Sequence, residues 1–174
     1  MATIDRTHCF EAARKLNETN DCTVRACAVA TDIDYETMHK YLATECGRKH
    51  GEGLHSWAYH GALASLGYEL TKLEGPSYEW NEYYVEGHER YYRKTGTWAW
   101  VPASYRSKRK KVGKGKDYNA ATVRTLAREL SKGTYLVGTD GHVACLKDGE
   151  VHDWTNNRRH RIRDVYRVSE GSKK

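Results

Sequence analysis

Thr134-Tyr135-Leu136-Val137-Gly138-Thr139, Asp140-Gly141, His142-Val143-Ala144-Cys145-Leu146-Lys147, Asp148-Gly149, Glu150-Val151-His152-Asp153-Trp154: short apolar runs punctuated twice by Asp-Gly. Asp-Gly between such segments is among the stronger local hairpin signals. The stretch predicts three antiparallel strands in a meander. Downstream, Arg161 to Val168 alternates, with Ile162, Asp164, Tyr166 and Val168 on one side, and adds another strand. Upstream, Val123, Leu126, Ala127 and Leu130 recur at helical spacing and predict a helix capped by Asn119 and closed by Gly133.

The N-terminal third reads as helices. Phe10, Ala13 and Leu16 suggest a first helix ending near Asn17. Cys22 to Ala30 is small and apolar with one charge, Arg25, the composition of a nearly buried helix. Asp34 is the expected N-cap of a helix with Tyr35, Met38 and Leu42 on one face. Ser56 to Leu66, with Trp57, His60, Leu63 and Ala64 in register, gives another closed by Gly67, and Tyr68 to Leu73 alternates as a strand. Helices followed by an antiparallel meander imply an α+β fold, one domain over 1–174 with the N-terminal helices packed on a C-terminal sheet.

Between Gly75 and Tyr118 this patterning dissolves, and only Thr97 to Val101 reads as a strand. Residues 78–105 hold nine Tyr and Trp side chains, and the segment 75–118 has the character of an insertion. The aromatics are expected to form a small irregular core; aromatics interleaved with cations also suit stacking on single-stranded nucleic acid. Residues 106–116 carry seven cations and no acid. A solvated loop is the expectation for that block, and nucleic-acid contact through Lys108, Arg109, Lys110 and Lys111 is the alternative.

The chain has 174 residues, 39% hydrophobic and 30% charged, with a net charge of +6. That length suffices for one buried core. No run approaches the ~18 apolar residues of a membrane span, and the N-terminus lacks the apolar core of a secretory signal, so a cytoplasmic location and no membrane partner are expected. Five cysteines without regular spacing argue against a disulfide framework and a zinc module. His8, Cys9 and Cys22 are poorly spaced for a metal; no metal and no cofactor are expected.

Cys22 stands apart from the other cysteines because the polar turn 17–21 meets the small-residue helix there. A helix N-terminus offers unpaired N–H groups and the positive end of the helix dipole, and both favour a thiolate. His142 opens a strand straight after a turn. Asp153 lies on the neighbouring strand, and a hairpin centred on Asp148-Gly149 makes 142 and 153 close to cross-strand partners. A carboxylate beside an imidazole fixes its tautomer and stabilises its cation. Nucleophile, base and orienter are thus Cys22, His142 and Asp153.

Asn20-Asp21-Cys22-Thr23-Val24-Arg25-Ala26, then Gly47-Arg48-Lys49 and Gly53, resemble the opening block of small phage-encoded papain-like cysteine peptidases, which are similar to the bacteriocin-processing peptidases. Gly133-Thr134-Tyr135-Leu136-Val137, Gly141-His142-Val143 and Val151-His152-Asp153 resemble their closing block. The two blocks cover somewhat over a third of the chain and leave 75–118 aside. The resemblance implies a papain-like fold and thioester chemistry on a protein or peptide substrate, in the host cytoplasm if the chain is phage-encoded. Peptidase, isopeptidase, amidase and transglutaminase remain open. Papain-like enzymes usually carry a glutamine six residues before the cysteine. Here Leu16 stands there, and the amide donor for an oxyanion becomes Asn20 or Asn17, Asn20 being the one inside the matching block. The competing reading is a catalytically silent scaffold of the same fold that binds nucleic acid or a host protein through its aromatic and basic segment.

Overall fold

The computed structural model describes residues 4–73, 77–112, 122–153 and 162–171. The chain divides into two units, Met1–Leu73 with Asp117–Lys174, and Glu74–Lys116. In the first, four helices precede a five-stranded sheet, an α+β arrangement.

Asp5 caps α1 (Arg6–Lys15) by accepting from the His8 N–H. The helix stops two residues short of Asn17 and buries Cys9, Ala12 and Ala13. Phe10 and Leu16, expected inside, are exposed; small residues allow close helix packing, while Phe10 stays outside beneath the Arg25 guanidinium. α2 (Cys22–Thr31) is buried at every position but Arg25. α3 (Tyr35–Cys46), capped by Asp34, buries Tyr35, Met38 and Leu42. α4 (Ser56–Ser65) buries Tyr59, Ala62 and Leu63 and leaves Trp57 76% exposed. Its inward stripe is therefore rotated from the expected Trp57-His60-Leu63-Ala64, with Ala62 close enough for its carbonyl to accept from the Tyr41 hydroxyl.

The sheet runs β1 (Tyr68–Lys72), β9 (Asp164–Glu170), β6 (Thr134–Thr139), β7 (His142–Lys147), β8 (Glu150–His152), every neighbour antiparallel. Leu136, Val143, Cys145 and Val168 pack into the core built by the N-terminal helices. Tyr135, Val137, Ala144, Leu146, Val165 and Ile162 pack on the other face with Val123 and Leu126 of α5 (Val123–Glu129). Ile162 thus precedes its strand and does not share a face with Val168. Both faces are covered, which explains why β6 and β7 read as continuous apolar runs. Thr122, not Asn119, caps α5 through a reciprocal bond with Thr125; Asn119, Trp154 and Arg161 lie outside the described residues. The helix ends at Glu129, and Gly133, at φ +94°, turns the chain into β6.

One alignment sets up the chemistry. β7 packs along α2. At its far end the Lys147 ammonium donates to the Val29 carbonyl and the Asp32 carboxylate, at the C-terminus of α2, where a cation complements the dipole. Five strand steps span about 17 Å and ten helix residues about 15 Å. Pinning Lys147 to Asp32 therefore brings the start of β7 to the start of α2.

The second unit contains more strand than the expected single segment. β2 (Ser77–Val85) pairs with β5 (Ser104–Val112), and β3 (His88–Tyr92) with β4 (Thr97–Val101). Both ladders are in one register, Val85 opposite Ser104 and His88 opposite Val101, so 77–112 is a single long hairpin ribbon. The expected small core is not formed by the aromatics with described side chains: Tyr83, Tyr84, Tyr91, Tyr92, Trp98, Trp100 and Tyr105 are 42–77% exposed. A two-stranded ribbon has no second layer to bury them against. The expected loop at 106–112 is instead strand β5.

Candidate active site

Cys22 is the first residue of α2, and the turn before it is held from inside. Asn17 and Asn20 take left-handed backbone angles, φ 51° and 53°, which Asn tolerates better than most residues. Between them Glu18 is buried and accepts from Arg48 Nη1 at 3.0 Å, the Gly51 N–H at 2.7 Å, the Thr19 N–H at 3.0 Å and the His39 ring. Burial opposes its charge, yet these bonds together hold its carboxyl down at about 2. Asp21, also buried, accepts at 2.7 Å from both Arg25 Nε and the Tyr35 hydroxyl. Two buried carboxylates thus fix the approach to Cys22 and tie it to the loop at 47–53.

His142, first in β7, places its Nε2 2.9 Å from Asp153 Oδ1, with side-chain exposures of 8% and 7%. A carboxylate only accepts, so Nε2 carries the proton. Cys22 and His142 line the same cleft, and each favours the charged form of the other. The pair are not direct cross-strand partners. The register sets Cys145 opposite His152, and its continuation sets Asp153 opposite Ala144. Asp153 and His142 are diagonal neighbours, within reach of each other on one face. His152 opposite Cys145 belongs to the other face by alternation.

Each charge supports its neighbour. Burial disfavours an imidazolium at His142, but the bonds to Asp153 and Cys22 and their charges raise it to about 9. Burial likewise disfavours a thiolate at Cys22, and is outweighed by the His142 ring, the Val143 backbone N–H, the imidazolium charge and the Thr23 hydroxyl, so that its pKa falls below the ordinary thiol value. Cys27 and Cys145 are pushed the opposite way by burial, Cys145 to about 12. The same residue type is thus poised as a nucleophile at one position and inert at two others.

Cys22 opens into a cleft of about 590 Å³ whose lining belongs wholly to the first unit. Asn20 and Thr23 line it together with Cys22. Gly53, Leu54, His55 and Tyr59 form one wall, and Gly138 to Val143 with Arg163, Asp164 and Tyr166 form the other. The Asn20 carboxamide lies against Gly53, its Nδ2 3.7 Å from where a Cβ would stand. Asn17 is exposed and is not among the lining residues, which separates the two amide candidates. Lys108, Arg109, Lys110 and Lys111 all lie on β5 of the second unit. Among the described residues no cluster of His, Cys, Asp or Glu side chains is arranged to hold a metal, and no helix is long and apolar enough to cross a membrane.

Sequence reasoning missed the Glu18–Arg48–Gly51 clamp, the tether from Lys147 to α2 and the wall contributed by Tyr59, Arg163 and Tyr166. Each is a long-range contact without periodicity or motif to mark it. No protein-family model, curated protein or solved structure matches the chain.

Proposed function

We propose that this protein is a thiol-dependent acyl-transfer enzyme of papain-like fold, acting on a protein or peptide substrate. What supports the reading is that Cys22, at the start of a helix, and His142, bonded to Asp153, line one cleft, each favouring the other's charged form. The Cys22 thiolate attacks a carbonyl carbon, forming the C–S bond while the carbonyl electrons move to oxygen. Asn20, lining the cleft together with Cys22, is the side-chain donor for that oxygen. Collapse expels the amine, which takes its proton from the His142 imidazolium and leaves a thioester. Neutral His142 then removes a proton from water or a second amine, whose attack on the thioester carbonyl releases the product and returns sulfur to the thiolate. If the chain is phage-encoded, as the resemblance implies, the host cytoplasm is its place of action.

The test is the covalent intermediate. After exposure to a panel of N-acetyl amino acid p-nitrophenyl esters, denaturing mass spectrometry should find one acyl group on Cys22, removable by hydroxylamine and missing in Cys22→Ser. Adding glycinamide then separates transfer from hydrolysis by product mass. Acylation spread over all five cysteines, or found equally in His142→Ala, would defeat the proposal.

A further inference from the structure

We infer that the hairpin ribbon at 77–112 binds single-stranded nucleic acid, with β2 and Tyr105 providing a stacking surface and β5 tracking the phosphates. Residues 74–116 hold ten Lys and Arg against five Glu, a net +5 of the whole chain's +6. The ribbon also carries nine of the chain's aromatics. The seven aromatics with described side chains are 42–77% exposed even where they pair across the ribbon, as Tyr84 does with Tyr105 and Tyr91 with Trp98. Exposed aromatic surface of this extent marks an interaction site.

The register sorts these residues. Four of the nine positions of β2 are aromatic, Tyr78, Trp80, Tyr83 and Tyr84; five of the nine in β5 are cationic, Arg106, Lys108, Arg109, Lys110 and Lys111. Tyr78 stands opposite Lys111, Trp80 opposite Arg109 and Tyr83 opposite Arg106, so three aromatics of β2 each have a cation as cross-strand partner. Tyr84 faces Tyr105, with ring centroids 5.2 Å apart. Tyr84 and Tyr105 thus stand side by side on one face. A row of aromatics on one strand with a parallel row of cations on the next suits a polyanion whose flat bases are free to leave their stack. A duplex offers the charge without the free bases, and a protein partner or a second copy has no need of a cation row. The ribbon therefore favours single strands over both.

The experiment uses the full chain and fluorescein-labelled dT and U oligonucleotides of roughly 20 nucleotides, with a duplex of equal length, from about 50 to about 200 mM salt. Fluorescence anisotropy should show both single strands bound at least about tenfold more tightly than the duplex. Replacing Lys108, Arg109, Lys110 and Lys111 by Ala should reduce the log–log salt slope by roughly 3, at about 0.7 for each phosphate contact on a single strand. Tyr84→Ala with Tyr105→Ala should weaken binding by about tenfold or more and leave the slope alone. Arg109→Glu, opposite Trp80 in the register, must itself weaken binding if the larger set of substitutions impairs folding. Equal affinity for the duplex, no binding at low salt, or unchanged binding without the two tyrosines would overturn the inference. So would self-association in sedimentation velocity that disappears with Tyr84 and Tyr105, which would assign the surface to a second copy.

Discussion

Asp153→Asn is the sharpest perturbation of the site. It keeps the shape of the side chain, and the amide oxygen can still accept from His142 Nε2, but the negative charge is gone. His142 stands at about 9 against an ordinary 6.5. At 1.36 kcal/mol per pH unit, that gap is worth roughly 3 kcal/mol of preference for the imidazolium. Burial, which opposes the charge, stays in place after the substitution. Much of the imidazolium at neutral pH should then be lost, together with the support it gives the Cys22 thiolate, lowering the thiolate fraction about 10- to 100-fold. Iodoacetamide labelling resolved by site reads this directly. In the parent protein Cys22 should react far ahead of Cys27 and Cys145 at neutral pH. In the variant its rate should climb with pH as an ordinary thiol's does, the two profiles converging toward alkaline pH. For turnover the sign is the reverse: His142 must be protonated to release the amine, so activity falls as pH rises through about 9, and earlier in the variant. Identical labelling profiles for two equally folded proteins would refute the coupling.

Asn20→Ala should lower kcat by roughly 10²–10³ with little change in KM, whereas Asn17→Ala should leave both as they are; equal effects would remove Asn20 from the oxyanion role. Glu18→Gln leaves the Arg48 guanidinium buried without its counter-charge and should cost about 3–5 kcal/mol in denaturant unfolding. Because the Glu18 carboxyl is held down at about 2, its contribution is fully present above its ordinary 4.5 and is lost as pH falls toward 2, so the variant's stability should depend less on acid over that window. Lys147→Met removes the cation at the end of α2 and should cost about 1–2 kcal/mol in thermal or denaturant unfolding; no loss would show that β7 is aligned by packing alone.

What the sequence determined by itself was whatever is local. Asp-Gly turns between apolar runs specify the β6–β7–β8 meander, because turn geometry and strand twist must agree within a few residues. Asp34 and the spacing of Tyr35, Met38 and Leu42 specify α3, and the polar turn before a small-residue run marks Cys22. The buried faces of α1 and α4 were misjudged because periodicity shows that a helix has an apolar side but not which small residues its neighbours press against. The ribbon escaped recognition because its strands alternate two kinds of exposed residue, aromatic and charged, and no buried face writes an apolar period of two. Tertiary structure alone decided the rest. Lys147 meets Val29 and Asp32 more than a hundred residues away in sequence, and Arg48 meets Glu18 across thirty. These contacts fix where a strand lies along a helix and where a loop closes over a turn. The starts of α2 and β7 meet because a rigid helix and a rigid strand of similar length are joined at their far ends, a coincidence of lengths that no local pattern encodes.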